Sequence, residues 1–534
     1  MLAVPSIEQG HTVATSTDTG TDAAGGWPER EFFEVRSPSD GRVVASLPVY
    51  SPADVAATAA ELRAAQPAWE EAGPAGRAKA LRRWLDWIMD NDQRLLELVQ
   101  AESGKSWGDT AIETMVAIEM INWVTKYGAE WLADEDHRPR GPANATKKLR
   151  THIRPYQLVG VITPWNFPLG MPMLDIPAAL MSGAAVLSKP SEVTPLAWAE
   201  AVRGWREEID APPVLACATG LGATGAAVVE QVDMVQFTGS TRTGRAIAVR
   251  AAERLIPCSL ELGGKDAMIV LDDADIDRAV GGAIWGGLFN SGQACISVER
   301  VYVQAPVYDE FVGKLTARAA EIRQGTDTDR SFRNDIGAMA NQSQVDIVDR
   351  HVRDAVAKGA QVLTGGKPGD RGCYYPPTVL VDVDHTMDCM REETFGPTLP
   401  VMKVDSEEEA IRLANDSPYG LCGSVWTTDP KRAERVARQL DTGGVTANNV
   451  LASVFQFPLP MGGWKQSGLG ARNGGPYTVR KFCRTQSYVS ERVMLRSEAN
   501  WYPYRAGKSR MMARVVRLLG LHDWRRRLGL RPKH

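Results

Sequence analysis

Seven residues, Phe289-Asn290-Ser291-Gly292-Gln293-Ala294-Cys295, hold the chemistry that the rest of the chain has to position. They follow a helix-like run, and a β-prone run begins three residues on, at 298–303. Small residues, Ser291, Gly292 and Ala294, lead up to one cysteine. A thiol at such a bend can reach a cleft and still be held rigidly, as a nucleophile must be. Taken alone, Cys295 reads more simply as a small core residue, because free cysteine is among the most buried side chains. A second stretch bears on the choice. The loop from Gly239 through Ser240 to Gly244 follows a strand and opens a helix. It offers backbone N–H groups and a positive helix end to a pyrophosphate, although it lacks the Gly-x-Gly-x-x-Gly fingerprint.

These residues need a scaffold, and the pattern of the chain predicts one. Residues 32–49 read as short strands around a turn, 51–63 as a helix opening on Pro52, and 76–103 and 110–133 as long amphipathic helices. Strands and helices then alternate: strands at 158–163, 184–188, 214–219 and 234–237, helices at 173–181, 197–209, 223–229 and from 245. This predicts a parallel sheet with crossover helices, whose ligands lie beyond the C-terminal ends of its strands. A second alternating block follows, with strands at 267–271, 298–303, 361–364, 399–403 and 423–426. The fold class is therefore α/β, two Rossmann-like doubly wound domains. The expected boundaries are a flexible tail at 1–31, a cofactor domain at 32–260 with a return segment at 446–472, a catalytic domain at 261–445, an extended oligomerisation arm at 473–495 and a basic extension at 496–534.

Composition narrows the class. The chain has 534 residues, enough for more than one core, and its net charge of -4 gives no overall nucleic-acid footprint. Seven scattered cysteines with no CxxC pair argue against a disulfide framework and a zinc site, and the seven histidines show no metal-ligand spacing. No metal is expected. No signal-peptide pattern or long apolar run appears, so a reducing, cytoplasmic location is expected.

Seven motifs in order then carry a resemblance. They are Pro-Trp-Asn-Phe-Pro at 164–168, Lys-Pro-Ser-Glu at 189–192, Phe-Thr-Gly-Ser-Thr-Arg-Thr-Gly at 237–244, Leu-Glu-Leu-Gly-Gly-Lys at 260–265, the cysteine stretch, Glu-Glu-Thr-Phe-Gly-Pro at 392–397 and Met-Gly-Gly-Trp-Lys-Gln-Ser-Gly at 461–468. Over about residues 32–490 the chain resembles the NAD(P)-dependent aldehyde dehydrogenase superfamily. The resemblance implies that Cys295 adds to an aldehyde, that Asn166 and the Cys295 amide hold the oxyanion, and that Glu261 activates the water that hydrolyses the thioester. It implies that Lys189 and Glu192 hold the adenosine ribose, Ser240 the phosphate, and Glu393 and Phe395 the nicotinamide end; Lys189 is also counted with the catalytic set. Ile162, Pro164, Trp165, Gly220, Gly239, Gly244 and Leu262 complete the expected cofactor site. A carboxylate at 192 favours NAD over NADP, because it would repel a 2′-phosphate.

Relatives that take carboxylate-bearing semialdehydes place arginines where this chain has Phe289 and Leu174. The neighbouring tunnel positions, Gly170, Met171, Ile296, Phe455, Phe457 and Met461, are apolar or small. An apolar aliphatic or aromatic aldehyde is expected, with succinic semialdehyde as the alternative. A coenzyme-A-acylating dehydrogenase is a rival that Glu261 disfavours, and a non-catalytic membrane-associated protein is a second. The arm at 477–489 matches a segment that joins a neighbour's sheet, so a dimer or tetramer is expected. From 496 onward eleven Lys and Arg stand against two acidic residues. Interleaved with Met, Val, Leu and Trp, they form a basic amphipathic pattern suited to an anionic membrane surface or to packing on protein.

Overall fold

The computed structural model describes residues 31–140, 144, 146–327, 329–494, 496–498, 501–528 and 530. The expected tail at 1–31 lies outside them except for Glu31. The described chain forms two units: one takes the chain up to Trp131 and Pro155–Phe482, the other Leu132–Arg154 and Cys483 onward.

The first unit is built on two sheets. One has six strands in the order Gly468–Leu469, Cys258–Glu261, Met234–Thr238, Leu158–Ile162, Ala185–Lys189 and Leu215–Cys217, all parallel except the short first one. Every residue of Leu158–Ile162, Ala185–Lys189 and Met234–Thr238 is buried. Helices cover both faces, so these strands read as apolar runs rather than alternations. The strand order reverses beside Leu158–Ile162: the chain moves outward to 185 and 215 on one side, then returns to 234 and 258 on the other. The crevice at that reversal is where an open α/β sheet binds its ligand. The loops after Ile162 and Thr238 flank it.

The second sheet has seven strands, in the order Gln361–Thr364, Thr378–Val381, Thr398–Val404, Val298–Gln304, Asp266–Val270, Cys422–Trp426 and Gly444–Ala447. Only Gln361–Thr364 runs antiparallel. The α/β class and the two Rossmann-like sheets are as expected, and among the described residues no sheet closes into a barrel. The second sheet contributes to the site differently from the first. Cys295 lies just before Val298–Gln304, and Glu393 and Phe395 just before Thr398–Val404. It therefore offers the entrances of its strands, whereas the first offers their C-terminal ends.

Several local expectations change. The helix expected over 76–103 breaks at Asn91 (φ -109°, ψ 13°) into Gly73–Asp90 and Asp92–Ser103. The helix expected over 197–209 widens into a π turn at Gly204–Glu208. The strand Thr378–Val381 is additional. The expected arm begins in a helical turn, Tyr477–Arg480, and becomes a strand only at Cys483–Glu491.

That strand belongs to the second unit, a three-stranded sheet ordered Cys483–Glu491, Lys147–Pro155 and Glu135–His137. The expected cofactor domain therefore differs, since 132–154 groups with the C-terminal residues. The reason is compositional: Lys147–Pro155 is charge-rich and only partly buried, so it covers no core and shows no clean alternation. Two helices, Ala506–Gly520 and Trp524–Arg527, complete the unit, and neither has a buried residue. Among the described residues no helix is long and apolar enough to cross a membrane.

Candidate active site

Helix Ile276–Leu288 stops at Phe289, and the chain then makes an uncommon turn. Asn290 (φ 52°), Ser291 (φ 56°) and Gly292 (φ 73°) are all left-handed. A left-handed conformation at a non-glycine residue costs about 1–2 kcal/mol, so two of them must be held by their surroundings. They are. Asn290 Nδ2 donates to Asn166 O at 2.9 Å and to Gln293 O at 3.2 Å, and the Asn290 amide donates to Asp109 Oδ2 at 3.2 Å. Ser291 Oγ donates to Gly337 O at 2.9 Å. At Gly292 a Cβ would lie 2.1 Å from Gly396 O, so only glycine fits. Cys295 leaves this turn half-buried, facing a cavity.

Asn166 meets it from the first sheet. Its Nδ2 donates to Gln293 O at 3.0 Å, and its Oδ1 is buried without a partner. A side-chain amide has two N–H donors, so one stays available to an oxyanion. Two further residues fix the Asn166 loop. Glu113 Oε2 accepts from the Leu169 and Gly170 amides at 2.9 and 2.8 Å, and its Oε1 pairs with Lys105. The carboxylate thus sits at the positive start of helix Gly170–Ser182.

Glu261 ends strand Cys258–Glu261, almost fully buried, and neither carboxylate oxygen has a hydrogen-bond partner. Burial pushes its acidity to about 7, with Arg472 and Lys481 pulling against that rise. Burial likewise pushes the Cys295 thiol up to about 12. A carboxyl near 7 is suited to general base work, and the thiol needs a base before it can attack.

On the cofactor side, Lys189 Nζ donates to Glu192 Oε2 at 3.0 Å. Ser240 caps helix Thr241–Glu253, accepting from the Thr243 amide. Glu393 Oε1 accepts from the Gly264 amide at 3.0 Å, and Phe395 meets Trp165 edge-on at 5.3 Å. Glu299 holds this segment by accepting from the Thr394 and Phe395 amides at 2.7 and 2.9 Å, while Lys265 donates to Glu299 at 2.6 Å.

A cavity of about 750 Å³ joins these parts. Its walls include Asn166, Glu261 and Cys295 together with Lys189, Glu192, Ser240, Trp165, Glu393 and Phe395. Ile162, Pro164, Gly239, Leu262 and Met171 also line it. Gly220 and Gly244 do not. Gly244 serves packing, since a Cβ there would lie 2.4 Å from Leu262, and Gly220 is a turn residue at φ 145°. Of the expected tunnel residues, Ile296 and Met461 share one apolar cluster, with Phe289 and Cys295 packed against it. Gly170 and Leu174 are buried on one helix, Phe457 is buried 6.3 Å from Trp123, and Phe455 is exposed. Phe289 stacks on Phe167 at 5.5 Å.

The residues present fit a nicotinamide dinucleotide. The helix start at Ser240 suits a pyrophosphate, the Lys189–Glu192 pair offers a donor and an acceptor to ribose hydroxyls, and the unpartnered Glu261 and Asn166 atoms mark the reacting end.

The sequence missed a buried cluster beside Glu261: Arg472 Nη2 donates to Asp175 Oδ2 at 2.8 Å and to Thr238 Oγ1 at 2.6 Å, and Lys481 Nζ donates to Asp175 Oδ1 at 3.1 Å. No motif carries it, because Asp175 lies 297 positions from Arg472 and 306 from Lys481. The fold also gathers His351, Asp388 and Glu392 with ligating atoms within 4.8 Å. Arg350, 3.2 Å from His351 Nε2, and Lys358, 3.9 Å from Asp388, already supply cations there.

Comparison with known proteins agrees with this geometry. A Methylomonas protein named 4,4'-diapolycopene aldehyde oxidase is 39% identical over 473 residues, covering 88% of each chain. A Mycolicibacterium smegmatis protein, named provisionally as a succinate-semialdehyde dehydrogenase [NADP(+)], is 38% identical and covers 85% of this chain and 88% of its own. The NAD+ complex of a Bacillus cereus aldehyde dehydrogenase superposes with a TM-score of 0.80 at 31% identity, covering 86% of this chain and 93% of that one. Residues 27–488 match the aldehyde dehydrogenase family, to which this chain belongs as an NAD(P)-dependent enzyme that oxidises aldehydes.

Proposed function

We propose that this enzyme oxidises an extended apolar aldehyde to the free acid, with NAD preferred. The observation that carries the reading is that Cys295, Asn166 and an unpaired buried Glu261 line one cavity. Cys295 Sγ adds to the carbonyl carbon once its proton has passed to a base. The free Asn166 N–H and the Cys295 amide hold the developing oxyanion, and loss of one such donor costs ~100-fold or more in rate. What the dinucleotide supplies when bound is a hydride acceptor; Lys189, Glu192, Ser240, Glu393 and Phe395 would hold it. The thioester left on Cys295 is cleaved by water whose proton Glu261 takes. The carbonyl carbon gains the water oxygen, the C–S bond breaks, and its electron pair returns to sulfur.

The substrate class rests on the tunnel. Phe289 and Leu174 stand where a carboxylate tail would need arginine, and Lys105, 4.0 Å over the Phe167 ring, is already paired with Glu113. The relative named for 4,4'-diapolycopene aldehyde supports this reading more than the semialdehyde relative does. NADH formation from decanal, hexanal, benzaldehyde and succinic semialdehyde tests it, with Cys295→Ala as control. A higher kcat/KM for succinic semialdehyde than for decanal would overturn the substrate class. A requirement for coenzyme A would overturn hydrolysis, and a higher kcat/KM with NADP would overturn the cofactor preference.

The C-terminal helices support a further part of the reading, docking on an anionic membrane. Met511, Val516, Leu518 and Leu519 are at least half exposed and share helix Ala506–Gly520 with Arg510, Arg514 and Arg517, and Trp524 is as exposed on the next helix. Such a helix gains from burying its apolar face while its cations meet acidic headgroups. Co-sedimentation with phosphatidylserine vesicles should be lost with phosphatidylcholine alone and in the Arg514→Glu, Arg517→Glu variant. Equal sedimentation in all three would refute it.

A further inference from the structure

Behind Glu261 the first sheet has a polar buried face. Gln236 pairs across strands with Ser259, and Thr238 with Glu261. Side chains alternate along a strand, so these four share one face, while Val235, Phe237, Cys258 and Leu260 point to the other. Covering the polar face are Asp175 from helix Gly170–Ser182 and Arg472 and Lys481 from the return of the chain, joined by the hydrogen bonds given above. Lys481 also donates to Gln236 Oε1 at 3.0 Å. Yet many polar atoms here lack a protein partner: Arg472 Nη1, Gln236 Nε2, Ser259 Oγ, both Glu261 oxygens and both ends of the Asn473 amide. The Arg472 amide donates to Met461 O.

Taking Glu261 as the base, as proposed above, we infer that Arg472 is its positioning residue: clamped by Asp175 and Thr238, the guanidinium covers the same polar sheet face as the carboxylate and favours its ionised form, available to the hydrolytic water. The geometry explains why an arginine is needed. Asp175 is fully buried and takes both Arg472 and Lys481, so the cluster carries one positive charge in excess, and Glu261 balances it. The charged and titratable groups around Glu261 are Arg472 and Lys481 from the return segment, Asp175 from its helix, Cys295 from the nucleophile turn and Cys422 from strand Cys422–Trp426. Of these, Arg472 exerts the strongest pull toward the ionised carboxylate. In the step itself the water proton passes to Glu261. It then leaves to solvent through the cavity that Glu261 lines, which returns the carboxylate for the next turnover.

Arg472→Gln, Arg472→Lys and Asp175→Asn test the inference, with Arg472→Gln also made in a Glu261→Gln background. The readout is breakdown of the acyl-enzyme against pH, separated from the burst of NADH that precedes it. Arg472→Gln should slow breakdown ~10–100-fold and move its rising limb to higher pH, with recovery in Arg472→Lys. Asp175→Asn removes an opposing charge and should move the limb to lower pH. In the Glu261→Gln background, Arg472→Gln should slow breakdown less than ~2-fold further, because the two residues act as one unit. Additive losses, or a limb that stays in place in both single variants, would overturn the role of Arg472. If Arg472→Gln fails to fold, the opposite limb shift in Asp175→Asn and the recovery in Arg472→Lys decide. Undiminished turnover in Glu261→Gln alone would instead overturn the assignment of the base.

Discussion

At the residue scale, the site works through groups held away from their usual acidities by burial. Glu261 sits near 7, so it is only partly ionised at neutral pH. Hydrolysis of the acyl-enzyme should therefore rise through pH 6 to 8 and level off above. A steady-state profile under conditions where hydrolysis limits checks this, and a flat profile would remove Glu261 from the step. The same burial has a consequence for stability. Glu102 is pushed to about 8, Asp109 to about 7 and Glu393 upward, chiefly by desolvation. A carboxyl raised in the fold favours its protonated form there, so its contribution is present at low pH and lost as pH rises through the folded value. His351, lowered to about 3, acts in the opposite sense, but only below its ordinary value near 6.5. Between pH 6.5 and 8.5 the carboxyls therefore dominate, and Tm should fall across that window. Thermal melts in matched ionic strength would show it; a rising Tm would contradict the sign.

At the element scale, Cys295, the proposed nucleophile, is delivered by a turn rather than by a helix or strand. Gly292 is its least replaceable residue, because its φ is 73° and its missing Cβ makes room for Gly396 O. Gly292→Ala should lower stability by at least ~1 kcal/mol, the left-handed penalty alone, with the clash adding to it. It should also reduce the NADH burst by displacing Cys295, and a variant with wild-type burst and melt would show that the turn tolerates a side chain. The parts of this site that sequence reveals are those held in contiguous stretches. Cys295, Asn166, Glu261 and the loop at 239–244 each lie in a motif whose spacing is set by one turn of backbone. The supports are not contiguous. Lys105 with Glu113, and Arg472 with Asp175, are buried ion pairs that look like surface charges in the sequence, and Asp175 and Arg472 lie 297 positions apart. The same holds for Lys147–Pro155, whose charged, half-exposed residues hide a strand that pairs with one far along the chain.

At the scale of the whole molecule, the second unit leaves its strand pairing incomplete. Cys483–Glu491 lies at the edge of its three-stranded sheet, nine residues long and exposed along most of its length, with Tyr488 and Val489 about half exposed. A long edge strand of this kind templates pairing with another chain, and natural proteins otherwise blunt such edges. No proline within Cys483–Glu491 protects it. The arm is thus best satisfied by a second copy of the enzyme, which makes a dimer or larger assembly the expected state. Adjacent residues of a strand direct their N–H groups to opposite edges. Of Thr485→Pro and Gln486→Pro, one therefore removes a donor from the free edge, while the other removes one from the pairing with Lys147–Pro155. Light scattering after size exclusion should show an oligomer for the native chain. One of the two variants should shift toward monomer while keeping its melt, because its lost donor served only the partner. If both variants keep the native mass and melt, the edge strand does not hold the assembly together.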